Sequence, residues 1–237
     1  MKLLNDLVTC ICNTNYYALY KKKQICRSVR KHGPEAIAKF AHIAERLNVN
    51  YSLMYGTLLG SYREHGFIRH DDDIDIAVYR PAMTLELIEE MEKVGFLFSH
   101  SMLTDDGTRM HVAFRYKGVK FDLYSYNIDV ESSMATSCVP RPIDGDWPLS
   151  KQLKKARVLN MNFPYSGFQT IRFEGTNVTI WANANEVLSI NYGADFMTPI
   201  KGVKAKTNKN IYIDDLETRS FLILTKEELC KKVLRDK

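Results

Sequence analysis

The stretch Tyr55-Gly56-Thr57-Leu58-Leu59-Gly60-Ser61-Tyr62-Arg63-Glu64-His65-Gly66-Phe67-Ile68-Arg69-His70-Asp71-Asp72-Asp73-Ile74-Asp75-Ile76 decides how this chain is read. From Asp73 to Tyr79, Ile74, Ile76 and Val78 recur at every second position, the period of a strand with one face in a core. Asp73 and Asp75 then share the opposite face, about 7 Å apart at the backbone. Two like charges held so close need compensation, and a hard divalent cation supplies it. Oxygen-only ligation favours magnesium or manganese over zinc. An exposed acidic turn would not alternate with aliphatics. A calcium loop starting at Asp71 would need Gly and Glu where Ile76 and Ala82 stand.

Working outward, Val49 to Tyr55 reads as a strand that meets a short helix, running to about Glu64, at Gly56-Thr57. Free amides at a helix start, with a hydroxyl, suit a phosphate. In Val119 to Tyr124 the apolar Val119, Phe121 and Leu123 share a face and leave Asp122 on the other. If that strand neighbours the first, three carboxylates surround one site. Gly33-Pro34 reads as a break and the start of a helix carrying Ile37, Phe40, Ile43, Ala44 and Leu47, closed by Asn48 or Asn50. Thr84 caps a helix ended by Gly95. Hairpins are expected across Asp105-Asp106-Gly107, at Lys117-Gly118 and at Glu174-Gly175. A helix is expected around Ser150 to Leu159, another over Asn185 to Tyr192 stopped by Gly193, and a last one after a Thr225–Glu228 capping box.

The chain has 237 residues, enough for one large domain or a domain with an appendage. At 45% hydrophobic and 26% charged it is neither disordered, collagen-like nor a disulfide scaffold. Residues 21–31 carry Lys21, Lys22, Lys23, Arg27, Arg30 and Lys31. We therefore divide the chain into a basic, helical appendage (1–34) and a main domain (35–237), the appendage being suited to anionic headgroups. Cys10, Cys12, Cys26, Cys138 and Cys230 read as free thiols. The one-residue gap between Cys10 and Cys12 argues against a zinc site with Cys26 and His32. Without an apolar run long enough to span a bilayer and without a signal-peptide pattern, the expectation is a cytoplasmic protein, with peripheral contact at the inner membrane face.

A Gly-Thr or Gly-Ser at a strand–helix junction, then Asp-x-Asp, then a lone Asp on a later strand resembles the nucleotidyltransferase fold. Gly60-Ser61 has the commoner spacing to Asp73; Gly56-Thr57, directly after a strand, has the better context. The longer string is similar to the LicD family of phosphocholine transferases, which fukutin and fukutin-related protein also resemble. Its hallmark matches Tyr55 to Gly60, Arg63, Gly66 to Ile68 and Asp71 to Asp75, and a second feature matches Leu188, Tyr192-Gly193, Asp195 and Pro199. Arg69-His70 stands where the family often has Pro-Trp, and Phe196 where Trp is common.

The resemblance implies an α+β, nucleotidyltransferase-like mixed β-sheet flanked by helices, with added hairpins and an N-terminal helical segment. It implies that Asp73, Asp75 and Asp122 bind Mg2+ or Mn2+, with Asp122 alternatively the base on the acceptor hydroxyl. Gly56, Thr57 and Arg63 would hold donor phosphates, and Asp71 would be an outer ligand. The implied reaction moves phosphocholine from CDP-choline onto a cell-surface glycan such as lipopolysaccharide and releases CMP. A nucleotidyltransferase leaving NMP on its acceptor is the alternative. A nucleic-acid module fits less well, because basic residues and stacking aromatics are not interleaved on one sheet face. The net charge of +5, with Lys151, Lys154, Lys155, Arg157 and Lys201, Lys204, Lys206, Lys209, suits phosphorylated or lipid-linked glycans.

Overall fold

The computed structural model describes residues 15–199, 211–217 and 219–235; Cys10, Cys12, Lys201, Lys204, Lys206 and Lys209 lie outside them. The chain opens on α1 (Asn15–Arg46), which runs straight through the expected break at Gly33-Pro34. Proline in a helix interior forfeits one hydrogen bond and crowds the preceding turn. Here packing outweighs that cost, because Cys26, Val29, Ile37, Phe40 and Ala44 form one buried stripe on both sides of Pro34. Gly33 serves close approach instead of a turn: a Cβ there would lie 2.7 Å from the Phe67 ring. The boundary placed after residue 34 thus falls inside one helix. Asn48, at φ +53°, turns the chain out of α1, and the Val49 amide donates back to the Ala44 carbonyl at 2.7 Å.

There follow β1 (Tyr51–Leu53), α2 (Tyr55–Arg63), β2 (Asp73–Tyr79), α3 (Leu85–Lys93), β3 (Leu97–Thr104), β4 (Met110–Tyr116) and β5 (Val119–Asp129). Thr84 accepts the Leu87 amide at the start of α3. Lys117 and Gly118 take φ +47° and +85°, the left-handed pair that a two-residue hairpin between β4 and β5 requires.

The next stretch differs from expectation. β6 (Met134–Arg141) and a six-residue α4 (Trp147–Gln152) lead into the strand β7 (Lys155–Pro164), where a helix to Leu159 was expected. Ala156, Val158 and Asn160 alternate inward, a period of two that long-range pairing with β6 and β11 holds extended. β8 (Phe168–Phe173) and β9 (Thr176–Trp181) form a separate hairpin, and α5 (Ala184–Tyr192) ends at Gly193. β10 (Ile211–Ile213) and β11 (Ser220–Leu224), both additional to the expected elements, precede α6 (Lys226–Arg235). Thr225 and Glu228 cap α6 reciprocally, at 2.9 Å and 3.3 Å.

The main sheet is mixed and runs β1-β2-β5-β4-β3-β11-β7-β10, with β6 joining β5 to β7. Pairing therefore returns to its start through β5, β4, β3, β11, β7 and β6. Met102, Cys138, Ala156, Val158 and Phe221 form a small core of their own on strands of this circuit. The larger core lies where α1, α3 and the β8–β9 hairpin cover the sheet, with Phe40 against Phe121 at 5.5 Å.

The loop before β2 is seated by Gly60. A Cβ there would meet the Gly66 carbonyl oxygen at 2.6 Å and the Ile68 amide nitrogen at 3.2 Å. Gly60→Ala should destabilise the protein by about 1–3 kcal/mol, the usual range for overpacking. Urea unfolding checks this, and an unchanged midpoint would mean that the loop moves freely away from α2.

Candidate active site

β2 and β5 pair in parallel, in a register that sets Asp75 against Asp122. Alternation along β2 adds Asp73 to the same face. One carboxylate oxygen from each residue lies within 4.8 Å of the other two. Asp122 is fully buried and Asp75 is 7% exposed. Unit charges at such separations repel by roughly 3–4 kcal/mol even at an effective dielectric of 20. Among the described residues no other group of three or more His, Cys, Asp or Glu side chains could hold an ion.

Two neighbours offset that charge. Lys120, two residues before Asp122 on the same face of β5, brings its Nζ to 2.5 Å from Asp122 Oδ2 and 3.4 Å from Asp73 Oδ2. His111 on β4 is buried, with Nε2 3.4 Å from Asp122 Oδ1. Burial opposes ionisation of Asp122, but His111 and Lys120 outweigh it and hold the carboxyl at about 2. Asp75 goes the other way: burial, then Asp73 and Asp122, push it well above the usual carboxylate range. Burial, partly offset by Lys120, also raises Asp73. The three groups thus present one firmly ionised carboxylate and two that resist ionisation without a cation.

The start of α2 braces this strand. The Asp75 carbonyl accepts the Met54 amide at 3.0 Å, and the Asp75 amide donates to Thr57 Oγ1 at 2.9 Å. Thr57 is wholly buried, so its oxygen supports the backbone of the acidic strand. Tyr55 holds φ +45° and packs edge-on against Tyr124 at 5.4 Å. Gly56 lets the Asp71 carboxylate approach the chain, since a Cβ would lie 2.8 Å from its oxygen. Burial, then Asp73 and Asp72, push Asp71 up to about 7. Arg63 donates to Glu64 at 2.8 Å and to the Phe196 carbonyl at 3.4 Å, with its side chain 11% exposed. The structure therefore brings Asp71, Asp73, Asp75 and Asp122 together. It ties Thr57 and Arg63 to protein partners.

Two cavities meet at Asp73. The larger, of about 730 Å³, is bounded by His100, His111, Lys120, Arg141 and Trp147; the smaller, of about 210 Å³, by Tyr55, Asp75, Tyr124, Asn191 and Tyr192. Asp73, Tyr124 and Arg141 border both.

A family model described as LicD/FKTN/FKRP, nucleotidyltransferase domain, matches residues 48–183. The chain belongs to the LicD family. It is 49% identical over 41 residues to the lipopolysaccharide cholinephosphotransferase LicD of Haemophilus influenzae, covering 17% of this chain and 16% of that protein. It is 22% identical over 173 residues to the ribitol-5-phosphate transferase FKTN of mouse, covering 73% and 34%. An uncharacterized Caenorhabditis elegans protein, T07A5.1, is 41% identical over 81 residues, covering 31% and 21%. The matched segments span about a third or less of these relatives.

In this LicD domain Lys120 was readable in principle, since it shares a strand face with Asp122. His111 and Arg141 reach the site only through pairing between strands distant in sequence. Of the thiols described, Cys26 and Cys138 are buried and Cys230 is half-buried, all three unpaired.

Two outcomes test this geometry. Thr57→Val strands the buried Asp75 amide without its acceptor and should cost about 1–3 kcal/mol in urea unfolding; no loss would mean that another group takes over. In EDTA, a carboxyl raised to about 7 when folded binds its proton more readily than the unfolded chain does. Stability should therefore rise as pH falls from 8 towards 5, and Asp71→Asn should flatten that rise. The low value of Asp122 acts oppositely, but only below about pH 4, as pH falls from the ordinary carboxylate value towards 2. An Asp71→Asn melting profile parallel to the wild type would remove Asp71 as the source.

Proposed function

We propose that the chain transfers a phospho-alcohol from a CDP-alcohol to a glycan hydroxyl and releases CMP. The observation that carries this reading is the meeting of Asp73, Asp75 and Asp122, with Asp73 at the edge of a cavity of about 730 Å³, a volume that takes a nucleotide. LicD is a cholinephosphotransferase and FKTN a ribitol-5-phosphate transferase, so both relatives transfer an alcohol phosphate. Within that class we take CDP-choline as donor, with a lipopolysaccharide-type glycan as acceptor.

The donor set fits a hard ion: three carboxylates, all oxygen, two of them raised by burial and then by the neighbouring carboxylates. Asp73, Asp75 and Asp122 would hold magnesium or manganese. Bound there, the ion would supply positive charge to the phosphate oxygens during in-line displacement. A carboxyl held at about 2 is a poor proton acceptor, so we assign Asp122 to the ion and not to the acceptor hydroxyl. Lys120 borders the larger cavity beside Asp73 and can meet the donor's phosphates. Thr57 and Gly56 act by positioning Asp75 and Asp71, Asp71 is proposed as an outer ligand, and Arg63, expected on the donor phosphates, is paired to Glu64 and the Phe196 carbonyl.

No helix among the described residues is long and apolar enough to cross a membrane. Lys21, Lys22, Lys23, Arg27 and Lys31 are exposed on α1, and Leu19 and Tyr20 beside them are exposed as well. That combination supports peripheral contact with anionic headgroups at the cytoplasmic face.

Purified protein with Mg2+, CDP-choline and a glycan acceptor should release free CMP, detected by mass analysis. EDTA or Asp75→Asn should lower the rate at least ~100-fold, as loss of an electrostatic stabiliser does. CMP retained on the acceptor would instead establish nucleotidyl transfer. Full turnover in EDTA would refute the metal reading.

A further inference from the structure

The anion-binding groups that the motif offers are committed elsewhere. Thr57 Oγ1 accepts the Asp75 amide, and Arg63 is paired to Glu64 and the Phe196 carbonyl. Cations without carboxylate partners stand on the other side of Asp73. Arg141, at the end of β6, borders both cavities, and Lys151 on α4 borders the larger. Neither makes an ion pair among the described residues, and both side chains are exposed.

Arg141 also lies directly opposite Arg157 in the β6–β7 register, and Arg157 too has no ion-pair partner among the described residues. Like charges facing each other across strands destabilise a sheet, and an anion between them relieves the repulsion. Trp147 borders the same cavity and remains 37% exposed, whereas Trp181 is fully buried. An exposed indole beside unpaired cations and a carboxylate cluster is the chemistry that holds a nucleobase and its phosphates: stacking for the base, a guanidinium fork for the phosphate.

We propose that the larger cavity is the nucleoside diphosphate site, with Arg141 and Lys151 on the phosphates and Trp147 stacked on the base. This rests on the phospho-alcohol transferase reading and assigns its donor to residues outside the Tyr55–Asp75 motif. The diphosphate then enters beside Asp73 from the strand circuit, opposite the α2 side that the motif suggests.

CDP titrated into the full chain in MgCl2 tests this by calorimetry and tryptophan fluorescence. Arg141→Gln should weaken CDP binding about 10-fold or more and flatten its dependence on salt, and Lys151→Gln should weaken it several-fold. CDP should quench wild-type fluorescence. Trp147→Phe should abolish the quenching while keeping affinity, because the remaining Trp181 is buried. Trp147→Ala should weaken binding about 10-fold. Wild-type affinity in Arg141→Gln and Lys151→Gln, with loss in Arg63→Gln, overturns the location and leaves the transferase reading standing. Quenching that persists in Trp147→Phe also overturns it. A wild-type protein that binds no CDP and releases no CMP overturns both.

Discussion

Three carboxylates packed into one small volume set the terms on which this protein is built. Asp73, Asp75 and Asp122 sit on adjacent strands, two of them in the interior, where their mutual repulsion is costly. The fold meets that cost with Lys120 bridging Asp122 and Asp73 and His111 behind Asp122, while the Met54 amide and Thr57 Oγ1 hold the backbone of Asp75 in place. Such a site is poised for a hard cation, since the ion relieves repulsion that the protein otherwise carries.

That arrangement explains features that would otherwise look arbitrary. Met54 and Thr57 hold both backbone groups of Asp75, so α2 acts as a brace for β2. Gly56 and Gly60 are small because Asp71 and the loop at Gly66 press against the same helix. The closed strand circuit supplies the other wall, where Arg141 borders the same two cavities as Asp73.

Much of the fold was legible locally. Capping at Thr84 and Thr225, the Lys117-Gly118 and Glu174-Gly175 hairpins and the stop at Gly193 rest on short-range chemistry and appear where expected. The errors arose where distant contacts decide. Pro34 reads as a helix start until the buried stripe from Cys26 to Ala44 is seen to pass through it. Residues 155–159 read as helix until β6 and β11 pair on either side of β7.

The candidate site divides in the same way. Alternation by twos, a property of an extended chain alone, sufficed to place Asp73 and Asp75 on one face and to set Asp122 opposite the apolar residues of its own strand. Tertiary structure alone decided that Asp122 stands beside Asp75 and that His111 and Lys120 share its charge. It also turned Thr57 and Arg63 towards protein partners and brought Arg141 and Trp147 to the same cavity. Side-chain direction along a strand follows from local stereochemistry, whereas strand order and register depend on which apolar faces bury one another, and no short stretch of sequence contains both partners.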